Sequence, residues 1–239
     1  ACNADDHAMP RGHDLDAIAA VVTPATRLIY LANPNNPTGT WYGADAFAAF
    51  MASVPSDVVV VVDEAYAEFV DAPEWASALA LQPQYPNLVV TRTFSKAYAL
   101  AGLRVGFAIA HPDLIAVMER VRESFNVNSP GLAAAEAALG DDEHLRWVVA
   151  RNREQRDALT EALRARGLRV FPSQTNFLLT QFVEPGEEAQ VARIDAALID
   201  RGVVLRPMGG YGLGHCLRIT VGNADENRRL LAALDEVLA

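Results

Sequence analysis

Residues 57–66 read DVVVVVDEAY, and this stretch indicates the fold more directly than any other part of the chain. Five consecutive valines without polar alternation are typical of a strand buried on both faces, which means a central parallel strand of an α/β sheet. Asp63 follows at the carboxyl end of this strand, where open α/β sheets bind their ligands. The alternative is that Asp63 only caps the next turn.

Two other apolar runs of strand length have polar turns at their carboxyl ends. Residues 27–32 precede the turn NPNNPTG at residues 33–39, and residues 88–92 precede a turn that contains a lysine. We therefore predict an α/β fold with a mostly parallel central sheet and flanking helices. Because parallel strands end at the same edge of a sheet, their following turns should converge. The side chains brought together there would be Asn36, Asp63, Tyr66 and Lys96.

Lys96 lies in a turn rich in hydroxyl groups, eight residues before Arg104. An amine presented at a strand end, rather than on a solvated helix face, can form a Schiff base with a carbonyl compound. Thr93 and Ser95 offer hydroxyl donors and Arg104 offers a guanidinium, and this set suits a bound phosphate. The alternative is an ordinary surface lysine and an ordinary salt-bridging arginine.

After residue 112 the pattern changes to helices with short strands between them. Helices are predicted at residues 112–124, 131–139, 142–166, 187–201 and 225–238, and strands at 168–171, 176–180, 203–205 and 216–221. We therefore predict a larger domain over residues 1–127 and a smaller αβ domain over residues 128–239. Arg218 lies inside an apolar strand and needs a partner, either a structural carboxylate or the anionic group of a substrate.

Composition argues against several classes of function. The net charge of −10 and the pI near 4.9 argue against nucleic acid or an anionic membrane surface as the main partner. The longest apolar runs are too short to cross a bilayer. Cys2 and Cys216 lie far apart without metal-type spacing, so we predict reduced thiols, no metal site and a cytoplasmic protein. The polar, acidic start of the chain is unlike a secretory signal.

Four motifs, in this order, resemble the fold-type-I pyridoxal-phosphate-dependent aminotransferases. They are NPNNPTG at residues 33–39, DEAY at 63–66, SKAYALAGLRVG at 95–106 and LRITVG at 217–222. Within this family the chain is most similar to the histidinol-phosphate aminotransferases, including SFNVNS at residues 124–129. The resemblance implies that residues 1–127 are part of the large cofactor-binding domain of this fold, and that residues 128–239 are its small C-terminal domain.

The resemblance also implies a role for each side chain that would surround the cofactor ring. Lys96 would hold pyridoxal phosphate as a Schiff base and then act as the general base and acid of transamination. Asp63 would pair with the pyridine nitrogen and keep it protonated. Asn36 and Tyr66 would hydrogen-bond the phenolic oxygen of the ring.

Two groups of residues are implied to bind anions. Thr93, Ser95 and Arg104 would hold part of the cofactor phosphate. In the histidinol-phosphate branch Arg206 and Arg218 would bind the substrate phosphate, whereas in other branches the residue matching Arg218 binds a carboxylate.

The implied activity is transamination of histidinol phosphate with 2-oxoglutarate in histidine biosynthesis, by a cytoplasmic homodimer that binds neither nucleic acid nor membrane. Two enzymatic alternatives use the same fold and cofactor: an aromatic amino-acid aminotransferase and a decarboxylase of a phosphorylated amino acid. A third alternative is a non-catalytic binding module of this fold. The presence of the whole set of cofactor residues counts against the third, because a binding module needs no Schiff-base lysine beside a pyridine-directed acid.

Members of this family are longer at the amino end. The additional region carries a small-residue loop for the cofactor phosphate, an aromatic ring that stacks on the pyridine, and an arm that reaches the partner subunit. None of these can be assigned to this sequence, so we expect it to be a fragment of a longer protein. We also expect the 239 residues alone to bind the cofactor weakly.

Overall fold

The computed structural model describes Cys2 and residues 8–239. The acidic start that we interpreted as unlike a secretory signal lies, apart from Cys2, outside the described residues. The described chain forms two compact units, one of residues up to 36 together with 40–148, and one of residues 37–39 together with 149–239. Cys2 and Cys216 are not joined in a disulfide bond. Among the described helices, none has the length and apolar composition that a membrane span requires.

The first unit is built on a four-stranded sheet in the order β1-β2-β3-β4. Its strands are β1 (Leu28–Ala32), β2 (Val59–Asp63), β3 (Leu88–Thr93) and β4 (Gly106–Ala110). The first three strands are parallel, and β4 pairs with β3 in the antiparallel direction. The predicted mostly parallel sheet, with the valine run as an interior strand, is therefore confirmed.

Four helices belong to the first unit: α1 (Leu15–Ala20), α2 (Ala44–Ser53), α3 (Pro112–Glu119) and α4 (Ser129–Leu139). Helix α1 begins after its N-cap Asp14, whose carboxylate accepts a hydrogen bond from the Ala17 N–H. Helices α1 and α2 pack on one face of the sheet, where Phe47 and Met51 join Val60 and Val62 in the core.

Burial of the valine run differs from the prediction of a strand covered on both faces. Val58, Val60 and Val62 are at most 1% exposed, whereas Val59 and Val61 are only half-buried. Alternate residues of a strand point to opposite faces, and α1 and α2 cover the face that carries Val60. On the other face the side chain of Tyr30 in β1 is 58% exposed. In the described residues of this unit, the run therefore alternates in burial although it does not alternate in polarity.

Helix α3 is shorter than the predicted helix over residues 112–124. It ends at Glu119, and Phe125 beyond it is 98% exposed with a left-handed backbone (φ 58°). Every residue of α3 is at least partly exposed. Short helices derive most of their stability from packing an apolar face. Helix α3 buries no residue fully, so little packing energy is available to stabilise further helical turns through residue 124.

The second unit contains a second four-stranded sheet in the order β5-β6-β8-β7, with antiparallel neighbours throughout. Its elements are most of α5 (Asp142–Arg164), followed by β5 (Arg169–Val170), β6 (Phe177–Gln181), α6 (Glu188–Asp200), β7 (Arg206–Pro207), β8 (Cys216–Thr220) and α7 (Ala224–Leu238). Leu163, Leu178, Leu198, Ile219 and Leu234 form its core, each at most 1% exposed.

The strand predicted at residues 203–205 is not formed there. The Val203 N–H donates to the Leu198 carbonyl, and the Gly202 N–H donates to the Ile199 carbonyl. These two bonds close the end of α6 around Gly202, which has a positive φ of 71°. The Val203 N–H is therefore used by the helix end, and strand pairing begins only at Arg206.

The predicted division into residues 1–127 and 128–239 differs from the point at which packing changes. The compact units divide between Val148 and Val149, inside α5. Helix α4 packs with the first unit, because Ala135 lies in one cluster with Phe94 and Val105. The point at which an independently folding domain begins remains a prediction.

The core of the second unit provides a test of the packing. We expect Leu198→Ala in α6 to lower the free energy of unfolding by about 2–5 kcal/mol, since Leu198 is fully buried and the change leaves a cavity. Its neighbour Ile199 is 49% exposed, and Ile199→Ala should cost less than about 1 kcal/mol. Urea unfolding of both variants measures this, and equal losses would contradict the packing.

Candidate active site

A cavity of about 380 Å³ lies at the carboxyl ends of β1, β2 and β3. This volume is in the range of sites for small ligands. Seven of the predicted site residues line it: Asn36, Asp63, Tyr66, Thr93, Ser95, Lys96 and Arg104. The structure therefore brings together, within the first unit, every side chain that the sequence analysis assigned to a cofactor.

Strand register explains this convergence. Ala32 of β1 is the direct partner of Asp63, and Asp63 is the direct partner of Thr91 in β3. The turn after β1 begins with a cis peptide between Asn33 and Pro34. The Asn33 amide is buried, and it donates to the Tyr42 carbonyl at 3.2 Å and accepts from the Tyr42 N–H at 3.1 Å. These bonds anchor the start of the segment that carries Asn36.

Asp63 accepts hydrogen bonds on both carboxylate oxygens. Its Oδ1 accepts from the Ala65 N–H at 3.1 Å and from the Thr91 hydroxyl at 3.4 Å, and its Oδ2 accepts from the Tyr30 hydroxyl at 3.2 Å. The contact with Ala65 is the local turn cap considered as the alternative for this residue. The carboxylate remains accessible to a ligand despite this cap, because Asp63 also lines the cavity.

Tyr30 is a residue that the sequence analysis missed. Its pKa is raised, first by partial burial and then by the negative charge of Asp63 and the hydrogen bond to it, while a hydrogen bond with Thr91 acts in the opposite direction. Tyr30 could have been found from the alternation of side chains along a strand. It lies two residues before Ala32 and so on the same face, and Ala32 is paired with Asp63. Detecting that signal required the register between the strands.

Lys96 is half-buried in the turn after β3, and its Nζ lies 5.4 Å from the centre of the Tyr66 ring. An ammonium over a tyrosine face is attracted by the ring, which helps to hold the side chain in place. Lys96 is also the only lysine among the 239 residues. Because a Schiff base with a side chain needs an amine, the lysine count alone singles out Lys96.

The segment after Lys96 is held in an unusual backbone conformation. Ala99 and Arg104 both have a positive φ of 57°, which is uncommon for residues other than glycine. The Ala99 N–H donates to the Lys96 carbonyl, and the Leu100 N–H donates to the Phe94 carbonyl, each at 2.9 Å. Strained backbone of this kind is found preferentially at functional sites.

Three of the residues that line the cavity, Thr93, Ser95 and Arg104, carry donors suited to an anion. The Ser95 N–H donates to Thr93 Oγ1 at 3.1 Å, and the Thr93 hydroxyl donates to Ser95 Oγ at 2.9 Å. Arg104 is exposed, and its Nη1 donates to the Ala101 carbonyl at 2.8 Å. These hydroxyls and the guanidinium line one cavity, and such a set can bind a phosphate group.

A largely buried ion pair is formed by Glu64 and Arg92, the neighbours in sequence of the cavity residues Asp63 and Thr93. Glu64 is fully buried, and its Oε2 lies 2.8 Å from Arg92 Nη2, while Arg92 Nη1 lies 2.8 Å from Glu68 Oε1. Glu64 also accepts hydrogen bonds from the Ser77 hydroxyl and the Ala78 N–H. Burial raises the pKa of Glu64, and Arg92 opposes that shift. This cluster connects the segment after β2 to β3 next to the residues that line the cavity.

The two arginines predicted to bind substrate belong to the second unit. Arg206 in β7 and Arg218 in β8 are direct partners across the sheet. Like charges in this arrangement repel, so an anion bound to both would stabilise the pair. The Arg218 guanidinium also lies 4.7 Å above the Phe177 ring. The assignment of Arg206 and Arg218 to a substrate anion stays a prediction.

Metal chemistry has no candidate site in the described part of the chain. Within Cys2 and residues 8–239, no three side chains of His, Cys, Asp or Glu are grouped so that they could hold a metal ion.

Known proteins resemble the chain over nearly its whole length. The family described as "Aminotransferase class I and II" matches residues 6–234. The chain is 53% identical over 229 residues to histidinol-phosphate aminotransferase 2 of Ralstonia nicotianae, covering 95% of this chain and 60% of the relative. It is 47% identical to histidinol-phosphate aminotransferase 1 of Nitrosococcus oceani, covering 98% of this chain and 63% of the relative.

A solved structure shares the fold. The crystal structure of histidinol-phosphate aminotransferase from Sinorhizobium meliloti in complex with pyridoxal-5'-phosphate superposes with a TM-score of 0.88 at 34% sequence identity. The match covers 95% of this chain and 61% of that chain. The chain thus spans about three fifths of the length of these relatives.

The buried ion pair generates a prediction for pH. We expect Arg92→Leu to cost about 3–5 kcal/mol of stability near pH 7, because it leaves the Glu64 charge buried without its partner. Without Arg92, the folded-state pKa of Glu64 lies further above its ordinary value of 4.5, so stability is recovered as the pH falls towards that value and is lost as the pH rises.

Urea unfolding at about pH 5 and about pH 7.5 measures this dependence. The control is Arg122→Leu, because Arg122 forms an exposed pair with Glu119 that should contribute less than about 1 kcal/mol at either pH. If Arg92→Leu and Arg122→Leu cost the same, or if the loss is independent of pH, the proposed role of the pair is wrong.

Proposed function

Because the chain belongs to the class I and II aminotransferases, we propose that it acts in the pyridoxal-phosphate-dependent transamination of histidinol phosphate with 2-oxoglutarate. The observation that carries the proposal is the convergence of Lys96, Asp63 and Arg104 on one cavity at the carboxyl end of the parallel strands. The relatives that the chain matches at 45–53% identity are named histidinol-phosphate aminotransferases, and this supports the choice of substrate.

The chemistry of the donor set fits pyridoxal 5'-phosphate. Lys96 provides an amine for its aldehyde, and Asp63 provides a carboxylate for its ring nitrogen. The hydroxyls of Thr93 and Ser95, together with Arg104, suit its phosphate. The remaining cavity residues Asn36 and Tyr66 suit its phenolic oxygen.

When bound, the cofactor supplies a ring that withdraws electrons from the reacting carbon of the substrate. The residues of the chain supply the proton transfer and the orientation. Lys96 Nζ is the base that takes the proton from Cα of the amino donor. The Tyr66 ring, 5.4 Å from that nitrogen, restricts its position. Asp63 is oriented by hydrogen bonds to both of its oxygens, so its carboxylate is held in place before a ligand binds.

We assign Arg206 and Arg218 to the anionic part of the substrates. Two guanidinium groups on directly paired residues can grip the phosphate of histidinol phosphate, and they can also bind a carboxylate of the 2-oxo acid. We further propose that the protein works at full length as a cytoplasmic homodimer on small-molecule substrates, as the family resemblance implies.

The attachment site can be tested directly because the chain has one lysine. After incubation with pyridoxal 5'-phosphate and reduction by borohydride, we expect the cofactor mass on the peptide that contains Lys96. The folded protein should reach half-labelling at a cofactor concentration about tenfold or more below that of the same chain in concentrated urea, since only the fold assembles the cavity. Lys96→Arg keeps the charge and should take no label on that peptide. Equal labelling of folded and unfolded chain would exclude a cofactor site.

The substrate assignment requires a separate assay. We expect the full-length protein to prefer histidinol phosphate over phenylalanine and threonine phosphate, and Arg218→Met to raise the KM for histidinol phosphate by roughly a hundredfold, or about 2.7 kcal/mol. The matched control is Arg228→Met, which removes an exposed arginine paired with Asp225 in α7 and should leave the KM unchanged. A preference for phenylalanine or threonine phosphate would support one of the two enzymatic alternatives and exclude this substrate.

A further inference from the structure

Tyr30 contacts Asp63 from a neighbouring strand. Ala32 is the direct partner of Asp63, and Tyr30 lies on the same face as Ala32, so its side chain is a diagonal neighbour of the carboxylate. Its hydroxyl donates to Asp63 Oδ2 at 3.2 Å. Tyr30 is 58% exposed as a residue, so core packing contributes little to holding its hydroxyl in place.

The contact constrains the one rotation that matters for Asp63. The torsion that turns a carboxylate about its own axis is broad and has no sharp preference, so neighbouring donors must set it. The Ala65 N–H and the Thr91 hydroxyl hold Oδ1, and the Tyr30 hydroxyl holds Oδ2. Contacts on both oxygens define the plane of the carboxylate, whereas contacts on one oxygen would leave the other free to swing.

We propose that Tyr30 is a positioning residue, whose hydroxyl sets the plane of the Asp63 carboxylate so that it meets the ring nitrogen of the cofactor. This inference rests on the proposed function, in which Asp63 binds that nitrogen. The raised pKa of Tyr30 is consistent with it, because the phenol keeps its proton and remains a donor throughout the physiological range. The groups that act on this phenol are Asp63, through charge and hydrogen bond, and Thr91.

The test removes the hydroxyl alone. Tyr30→Phe should raise the pyridoxal 5'-phosphate concentration for half-labelling of Lys96 by about three- to tenfold, the effect of one net hydrogen bond. It should also shift the visible absorption maximum of the lysine-bound cofactor, because the interaction with the ring nitrogen is altered. Tyr85→Phe is the control: Tyr85 is a partly buried tyrosine that packs on the core of the same unit, and this change should alter neither quantity.

A double-mutant cycle separates positioning from a merely structural role. In the Asp63→Asn background, Tyr30→Phe should add no further loss of cofactor affinity, because the carboxylate that it orients is gone. Urea unfolding of the same four proteins without cofactor should show a coupling between the two positions, which tests the contact independently of the cofactor.

The outcomes are distinguishable. If Lys96 is labelled normally and Tyr30→Phe labels at the same cofactor concentration, this inference is overturned and the proposed function stands. If the effect of Tyr30→Phe is equally large in the Asp63→Asn background, Tyr30 does not act through Asp63 and the inference is also overturned. If the unsubstituted protein takes no label on Lys96, the proposed function fails, and the inference fails with it.

Discussion

Parallel pairing of β1, β2 and β3 is the constraint on which the rest of the structure depends. The backbone hydrogen bonds of this pairing place Ala32, Asp63 and Thr91 side by side, so the turns that follow the three strands begin at the same edge. Asn36, Asp63 and Lys96 are far apart in the chain, and they share a cavity because of this register. A shift of one residue in β2 would turn Asp63 away from the cavity and Val62 towards it.

Side chains of adjacent residues in a strand point to opposite faces, and here one face carries chemical roles and the other structural ones. Asp63 lines the cavity, whereas Glu64 is buried and forms an ion pair with Arg92. Strand β3 shows the same alternation. Thr93 lines the cavity and Thr91 donates to Asp63, whereas Arg92 between them pairs with the buried Glu64. The acidic pair in the DEAY motif thus consists of one residue available to a ligand and one that connects the strands.

Much of the fold could be predicted from local patterns. The α/β class, the interior parallel strand and the N-cap of α1 follow from apolar periodicity and capping chemistry, and the fold class is confirmed by the sheet and by the likeness to solved aminotransferases. The errors occurred where tertiary packing decides. Residues 120–124 have a helical composition, but α3 has no fully buried residue whose packing would stabilise a longer helix. Val203 lies in an apolar run typical of a strand, but its N–H is bonded to the Leu198 carbonyl at the end of α6.

The sequence by itself determined which residue types were available in a family pattern: one lysine, an aspartate at a strand end, a threonine, a serine, an arginine, an asparagine and a tyrosine. These residue types are enough to indicate the kind of reaction, because reactivity is a property of the functional groups themselves. Only the tertiary structure decided that seven such residues share one cavity, that Tyr30 contacts Asp63, and that Arg206 is paired with Arg218. The reason is physical: contacts between strands depend on register and on face, and hydrogen bonds between distant segments set both.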